Sequence, residues 1–178
     1  MAIRYKFIEE LLSLASNVND IVLDIGSGAS IYKRSIKIGK YIGIDPYISD
    51  DPYVVQASAL DMPFEDDTFD FAFTVAALYL IGPNSFKEIL RVLKPGGKFI
   101  IFDYNKTALR ILRAKTKINH VIWSPHSLRI ELREAGFIKV KRLTHRPKIK
   151  SYYLQPISAL KLKFGGSWVI FLCEKVHS

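Results

Sequence analysis

The chain has 178 residues, of which 49% are hydrophobic and 24% are charged, so it is long enough for one domain with a real core. No apolar run reaches about 18 residues, which excludes a transmembrane helix. Acids interrupt the apolar pattern of residues 1–16, which argues against a signal peptide. The single cysteine, Cys173, excludes an internal disulfide and a cysteine-based metal cluster. These features predict a cytoplasmic protein without a bound metal ion.

The charge is unevenly distributed along the chain. Residues 1–97 carry 9 Lys/Arg and 13 Asp/Glu, whereas residues 98–178 carry 17 and 4, and the formal net charge of the whole chain is +9. A basic C-terminal half is typical of a protein with an anionic partner, and equally of a solubilising surface.

Apolar runs in the chain alternate with amphipathic stretches. Short apolar runs bounded by turn residues are typical of strands, and they occupy residues 21–25, 41–45, 53–58, 69–77, 98–104, 138–145 and 167–176. Stretches with a helical apolar period are typical of helices, and they occupy residues 6–16, 84–97, 106–117 and 124–137. The first of these helices belongs to a short N-terminal segment, residues 1–19.

Two of the predicted helices carry end signals. The helix 84–97 has Asn84 or Ser85 as its N-cap and Pro95-Gly96-Gly97 as its end, and the helix 124–137 has Ser124 as N-cap and Gly136 as its stop. Strands that alternate with helices predict a parallel sheet covered by helices on both faces. The last two strands have no helix between them, so we expect an antiparallel pair joined by the long segment 146–166.

A glycine turn follows the first strand, in the stretch IVLDIGSGASIYKR. Gly26-Ser27-Gly28 leads from a strand into a helical start, where backbone N–H groups and close backbone approach favour a nucleotide ligand. Asp45 ends the second strand, at the distance where an acid binds ribose hydroxyls in such folds. Ile31 stands where dinucleotide-binding turns need a small residue, and Asp24 before the glycines suits a cationic ligand.

Five motifs in order resemble those of class I S-adenosylmethionine-dependent methyltransferases of the type 11 group: VLDIGSG, YIGID, ALDMPFEDDTFDFAF, LKPGGKFIIFD and SPHSLRIELREAGFIKVKRL. The resemblance runs from Ile21 to Val176 and implies a single domain over residues 1–178. It implies an α/β, Rossmann-like doubly wound sheet of seven strands, with the order 3-2-1-4-5-7-6, strand 7 antiparallel, and helices on both faces. It also implies S-adenosylmethionine as cofactor and methyl transfer as the reaction.

The same resemblance implies cofactor contacts at the ends of the first four strands. They are Asp24, Gly26, Ser27 and Gly28 at the methionine end, Asp45 at the ribose, Pro46, Ser58 and Ala59 at the adenine, and Thr74 and Val75 near the sulfonium. Two positions depart from the family pattern. Ser30 replaces a glycine, and the turn is expected to survive if this serine has ordinary dihedral angles and caps the following helix. Ser58 replaces an aspartate, which weakens one expected hydrogen bond.

Methyl transfer needs a general base only where the acceptor must lose a proton. The candidates beyond the strand ends are Asp103, Tyr79 and His120. Asp103 could instead cap the next helix, Tyr79 could line the pocket, and His120 could be a packed histidine. The [D/N]-P-P-[Y/F] signature of amino-group methylation is absent, since strand four ends FTVAALYLI.

The variable segments 104–123 and 146–166 are both basic and are expected on the acceptor side. Three interpretations stay open. The first is a methyltransferase for an anionic small molecule or lipid-like acceptor. The second is a methyltransferase for RNA or an RNA-bound protein, since aromatic residues among cations suit nucleic acid. The third is a non-catalytic basic adaptor on a methyltransferase fold.

Overall fold

The computed structural model describes residues 19–30, 32–33, 39–47, 50–104, 110, 121, 123–143 and 168–176. The predicted helices 6–16 and 106–117 lie outside the described residues, except for Arg110, and so does the segment 146–166.

Seven strands form the sheet, each at the position of one predicted strand. They are β1 (Ile21–Ile25), β2 (Lys40–Asp45), β3 (Val54–Gln56), β4 (Phe69–Val75), β5 (Leu93–Tyr104), β6 (Ile138–Arg142) and β7 (Trp168–Glu174). Four of them, β3, β4, β6 and β7, end two or three residues earlier than predicted, and the ends of β3 and β4 have a local cause. The hydroxyl oxygen of Ser58 accepts a hydrogen bond from the Leu60 N–H and starts a turn after β3, and Ala76 ends β4 with a φ of 53°.

The strand order in the sheet is β3-β2-β1-β4-β5-β7-β6. Strands β1 to β5 pair in parallel, and β7 runs antiparallel to both β5 and β6, which confirms the predicted order and the direction of strand 7. Near the middle of the sheet, Asp24 on β1 lies opposite Gly43 on β2 and Phe73 on β4. Because five strands are parallel, their carboxyl ends share one edge.

The strands are buried on both faces, as near-continuous apolar strands require. One face carries Leu23, Ile25 and Phe99, which pack with the described helices, and the other carries Val22, Phe71 and Phe73. Phe71 and Phe73 are fully buried, so the second face is covered as well.

Three helices are described: α1 (Leu78–Ile81), α2 (Phe86–Val92) and α3 (Pro125–Glu134), with a 3₁₀ turn over Pro83–Ser85. The sequence did not predict α1, because four residues carry too little periodicity. The predicted helix 84–97 is wrong at its C-terminal end. Leu93 is extended, with φ −77° and ψ 139°, and pairs with Phe69 at the start of β5. Proline disfavours a helical residue before it, so Pro95 keeps this segment extended.

The predicted caps have different outcomes. Helix α2 follows Ser85, but no side-chain cap is formed, because the Ser85 hydroxyl donates to the Gly82 carbonyl at 2.8 Å. In α3, by contrast, the Ser124 hydroxyl accepts from the Ser127 N–H at 3.0 Å and Ser127 bonds back to the Ser124 N–H, forming a reciprocal capping box. Gly136 follows this helix with φ 112°, so both predicted ends of α3 are confirmed.

An ion-pair network fixes the segment after β3 to α2. Arg91 donates to Glu88 at 2.6 Å and to Asp66 at 2.7 Å, and it also bonds the Phe64 carbonyl. Glu88 accepts from the Met62 N–H at 2.8 Å. The hydrogen bond from Arg91 lowers the pKa of Glu88, so the network stays charged at neutral pH and holds the chain beyond β3 in place.

We expect Ser124→Ala to lower the free energy of unfolding by about 1 kcal/mol, because the N-cap hydroxyl satisfies a helix N–H that would otherwise lose its partner. Urea denaturation monitored by circular dichroism measures this loss. Ser124→Asp keeps an acceptor at the same place and serves as the control. Equal losses in the two variants would contradict the capping role.

Candidate functional site

The ends of the parallel strands bring the described candidate residues to one edge of the sheet. Gly26, Ser27 and Gly28 follow β1, Pro46 follows β2, Ser58 and Ala59 follow β3, and Asp45, Thr74, Val75 and Asp103 are the last or next-to-last residues of their strands. Tyr79 lies in α1, directly beyond β4. His120 is outside the described residues. These residues thus lie at the carboxyl edge of the sheet, where ligands of such sheets bind, and their roles in binding stay predictions.

The glycine turn is fixed to the end of β2 by its own backbone. The N–H groups of Gly26 and Ser27 both donate to the Ile44 carbonyl, at 2.9 and 3.0 Å. Gly26 has a φ of 72°, which favours glycine. A Cβ at Gly26 would collide with the Cβ of Ala77, which follows β4. The turn is therefore held between β2 and the chain that leaves β4.

Gly28 lies at the open side of the same turn. Its φ is 52°, and a Cβ built on it would meet no atom within 4 Å. Its N–H donates to the Asp45 carboxylate at 3.1 Å. Asp45 also accepts from the Tyr47 N–H at 3.1 Å. These two bonds fix the acid beside the exposed backbone of Gly28, and carboxylate oxygens retain further lone pairs for a ligand hydroxyl.

Ser30 does not have the ordinary dihedral angles that the sequence analysis required of it. Its φ is 49°, in the left-handed region that favours glycine. Its side chain is buried. Its hydroxyl acts on Tyr41, where it opposes the rise in pKa that burial causes, and it caps no helix N–H in the described part of the chain. The backbone closes the turn instead, because the Ser30 carbonyl accepts from the Lys33 N–H at 3.0 Å. The backbone at position 30 therefore has the conformation that favours glycine, although a serine occupies this position.

Asp24 lies beneath the turn and not on its surface. Its side chain is buried, with 1% of the residue exposed, and its carboxylate accepts from the Tyr41 hydroxyl at 2.6 Å. Burial raises the pKa of Asp24 to about 7, the Tyr41 hydrogen bond opposes that rise, and the charge of Asp45 adds to it. Asp24 therefore stands close to its titration midpoint at neutral pH.

The residues after β2 and β3 present both polar and apolar surface. Ser58 is exposed, but its hydroxyl oxygen already accepts from the Leu60 N–H at 3.1 Å, while Ala59 is buried. Pro46 is exposed, and its carbonyl accepts from the Gln56 side chain. Tyr47 is 79% exposed and Leu60 is 53% exposed. Two large apolar side chains thus lie at this edge without cover, a feature that marks binding surfaces.

At the ends of β4 and β5 the polar side chains are bound to backbone groups. The Thr74 hydroxyl donates to the Ile25 carbonyl at 2.9 Å, which ties β4 to β1. The Asp103 carboxylate accepts from the N–H groups of Tyr79 and Tyr104, at 2.8 and 2.6 Å. Burial raises the pKa of Asp103 to about 7, and these two bonds oppose that rise. The rings of Tyr79 and Tyr104 pack edge to face with centroids 5.6 Å apart.

Two residues of this site were missed from the sequence. Tyr47 follows the predicted contacts Asp45 and Pro46, and its exposure could have been inferred only from its place after a strand. Tyr41 lies two residues before Gly43 on β2, so both residues share one face of the strand. That spacing, beside Asp24 on the neighbouring strand, was the available signal for their contact.

The described ranges contain neither a membrane-spanning helix nor a cluster of metal-binding side chains. None of their helices is long and apolar enough to cross a membrane. Within the same ranges, no three His, Cys, Asp or Glu side chains are placed to hold a metal ion. Cys173, on β7, is free and buried.

Comparison with known sequences identifies relatives for the central part of the chain. Residues 23–101 match the family described as "Methyltransferase domain". The chain is 40% identical over 105 residues to a sterol 4-C-methyltransferase of Caenorhabditis elegans, a match that covers 54% of this chain and 31% of that protein. It is 36% identical over 99 residues to a ubiquinone/menaquinone biosynthesis C-methyltransferase of Rickettsia massiliae, covering 53% of this chain and 40% of that protein. The matches span less than half of either relative.

Two solved structures share the fold over nearly the whole chain. A methyltransferase of Haloferax volcanii, solved in complex with the Trm112 methyltransferase activator, has a TM-score of 0.77 at 20% identity, over 99% of this chain and 92% of that one. Phosphoethanolamine N-methyltransferase 2 of Haemonchus contortus, solved in complex with S-adenosyl-L-methionine, has a TM-score of 0.68 at 16% identity, over 98% of this chain and 53% of that one. At these identities the likeness shows the fold alone.

We expect Gly26→Ala to cost more stability than Gly28→Ala. Both glycines have positive φ, which costs a non-glycine residue about 1–2 kcal/mol. A Cβ at Gly26 would also collide with the Cβ of Ala77, whereas a Cβ at Gly28 would meet no atom within 4 Å. Such overpacking adds about 1–3 kcal/mol to the cost of Gly26→Ala. Urea denaturation of the two variants measures the difference, and equal losses would contradict the close contact between the turn and Ala77.

We expect Asp24→Asn to gain stability over the wild type as the pH rises from 4 to 8. The unfolded carboxyl group ionises near its ordinary value of 3.8, whereas the folded one keeps its proton up to about 7. Between these values the unfolded state releases the proton first, so the wild type loses stability with increasing pH. Asparagine does not titrate, so the difference should reach a few kcal/mol, in order of magnitude, above pH 7.

Thermal unfolding of the Asp24→Asn variant and the wild type, measured side by side from pH 4 to pH 8, tests this expectation. Asn can still accept the Tyr41 hydrogen bond, so the comparison isolates the charge. A difference in stability that does not change with pH would show that Asp24 titrates normally.

Proposed function

We propose that this chain, which belongs to the class I S-adenosylmethionine-dependent methyltransferases, binds S-adenosylmethionine at the carboxyl edge of its sheet and transfers the methyl group to an anionic small-molecule or lipid-like acceptor. One observation carries the cofactor part of the proposal. The exposed backbone of Gly28, with open space around it, lies in hydrogen-bond contact with the Asp45 carboxylate.

The residues present fit the cofactor in shape. The open side of Gly28 allows a ligand to approach the backbone closely. Asp45 is fixed by two backbone N–H groups and retains lone pairs for the ribose hydroxyls. The exposed Tyr47, Leu60 and Pro46 offer apolar surface that an adenine ring would cover, and the buried Ala59 would contribute its backbone N–H.

The charge of this part of the chain also fits a cationic cofactor. Residues 41–86 contain eight Asp/Glu and no Lys or Arg. S-adenosylmethionine carries a sulfonium and an ammonium group, and a locally negative field favours a positively charged ligand. Asp24 lies under the turn and in the field of Asp45, so a cation bound above the turn would favour its ionised form.

When bound, S-adenosylmethionine supplies an activated methyl group on sulfur, and the protein supplies binding, orientation and exclusion of water. In this proposal the glycine turn and Asp45 set the position of the cofactor. Thr74 and Val75 shape the sheet edge beside it, since the Thr74 hydroxyl ties β4 to β1. These residues hold the reacting carbon in place and do no proton chemistry.

Tyr79, Tyr104 and Asp103 form the proposed acceptor side. The two rings are in edge-to-face contact, and Asp103 binds the backbone N–H of both tyrosines, so the carboxylate orients this aromatic wall. The pKa of Asp103, raised to about 7 by burial, is close to the value that suits a general base. Asp103 is therefore the proposed proton acceptor where the substrate atom must lose a proton, with Tyr79 lining the pocket.

The proposed acceptor class follows from relatives and charge. The two curated relatives are named for C-methylation of sterols and for quinone biosynthesis, which supports a lipid-like acceptor. The basic C-terminal half of the chain supports an anionic one. The segments on which a nucleic-acid substrate would depend, 104–123 and 146–166, lie almost wholly outside the described residues.

We expect Asp45→Ala to weaken binding of S-adenosylmethionine and S-adenosylhomocysteine by roughly 10- to 100-fold, since hydrogen bonds to a charged group contribute about 1.5–3 kcal/mol. Isothermal titration calorimetry measures both affinities. Glu65→Ala is the matched control, because Glu65 is an exposed acid before β4, at the opposite edge of the sheet.

Three results distinguish the possibilities. Selective weakening in Asp45→Ala supports the proposed site. Equal binding by Asp45→Ala and the wild type would place the cofactor elsewhere. No binding by the wild type would overturn methyl transfer and favour a non-catalytic role for the fold.

A further inference from the structure

Because Gly43 has no side chain, Asp24, Ser27 and Tyr41 come close together beneath the glycine turn. Tyr41 and Gly43 lie on one face of β2, opposite Val22 and Asp24 of β1. A Cβ at Gly43 would lie 2.5 Å from the Ser27 hydroxyl oxygen and 3.4 Å from the Tyr41 hydroxyl oxygen. Both hydroxyl groups therefore occupy the space that a side chain at position 43 would fill.

In that space the Tyr41 hydroxyl binds the carboxylate of Asp24. The oxygen–oxygen distance is 2.6 Å, in the range of a strong, charge-assisted hydrogen bond. Tyr41 is 8% exposed, and both burial and the charge of Asp24 raise its pKa. The tyrosine therefore keeps its proton and remains a donor throughout the neutral pH range.

We propose that Tyr41 is a positioning residue for the cofactor, favouring the ionised form of Asp24 and fixing the carboxylate beneath the turn so that its charge attracts the cationic end of the ligand. The inference rests on the proposed function, because it concerns how strongly the same site binds S-adenosylmethionine. Tyr41 touches neither the ligand nor the reacting atoms in this account. It acts through Asp24 and through the turn above it.

Among the groups that act on Asp24, the Tyr41 hydroxyl favours the ionised form, whereas burial and Asp45 oppose it. Asp45, at the end of β2, repels a negative charge on Asp24, and Asp51 raises the pKa of Tyr41. The nearby Lys33 ammonium lies over the ring of Tyr53, and no salt bridge to Asp24 exists in the described ranges. The hydrogen bond from Tyr41 is what opposes protonation of Asp24 before the ligand arrives.

A pH titration of Tyr41→Phe tests this inference with two readouts. Carbon-13 NMR of aspartate-labelled protein follows the Asp24 carboxyl group directly, with Asp24→Asn used to assign its signal. Calorimetry gives the affinity for S-adenosylmethionine between pH 5.5 and pH 8.5, in buffers that contain no methyl acceptor. Tyr32→Phe is the control, since Tyr32 is another buried tyrosine on the same side of the sheet.

We expect the Asp24 midpoint of Tyr41→Phe to lie roughly one pH unit higher than in the wild type. The pH at which affinity improves should move by the same amount, so the variant binds roughly tenfold more weakly below the midpoint and approaches wild-type affinity at high pH. The control should leave both curves unchanged. Thermal unfolding verifies that each variant is folded.

The contradicting results are distinct. An unchanged carboxyl titration, or an affinity lowered equally at every pH, would reduce Tyr41 to a structural residue and overturn the inference while the proposed function stands. Absence of binding by the wild type at every pH would overturn the proposed function, and the inference with it.

Discussion

The close packing of the turn after β1 against its two neighbouring strands is the constraint on which the site depends. Two N–H groups of the turn share the Ile44 carbonyl of β2, and Gly26 leaves no space between the turn and Ala77. The same packing buries Asp24 and directs the backbone of Gly28 outward. A backbone held on both sides needs no rearrangement when a ligand binds, which is how a rigid scaffold gives precise positioning.

The site contains two carboxyl groups whose charged forms are disfavoured by burial, close to the proposed position of a charged ligand. Asp24 and Asp103, near the ends of β1 and β5, are both buried, and burial raises the pKa of each carboxyl group to about 7. Their partners differ, since Asp24 accepts from a tyrosine hydroxyl and Asp103 from backbone N–H groups. The pKa of Asp24 can therefore be changed by replacing one side chain, whereas the hydrogen bonds of Asp103 depend on the local backbone conformation. Sites of this kind give up stability for function.

Much of the fold could be predicted because strand alternation is a local signal and the ends of parallel strands must share an edge. The errors lie where distant residues decide. Leu93 is extended because it pairs with Phe69 of β4, and Gly96 and Gly97 exchange hydrogen bonds with Lys175 beyond β7. Ser30 has a left-handed φ of 49° within the turn. The sequence predicted that the candidate residues follow the strand ends, but it did not predict their contacts: that Asp24 is buried and bonded to Tyr41 depends on the absence of a side chain at Gly43 on the next strand.

The central claim is that S-adenosylmethionine binds over the glycine turn and beside Asp45. Amide NMR of the nitrogen-15-labelled protein, titrated with S-adenosylmethionine, tests it residue by residue. The account predicts saturable shifts at Gly26–Gly28, at Asp45 and Tyr47, and at Ser58–Leu60, with little change in β6. Shifts confined to β6 and β7, or no saturable shift at all, would contradict it.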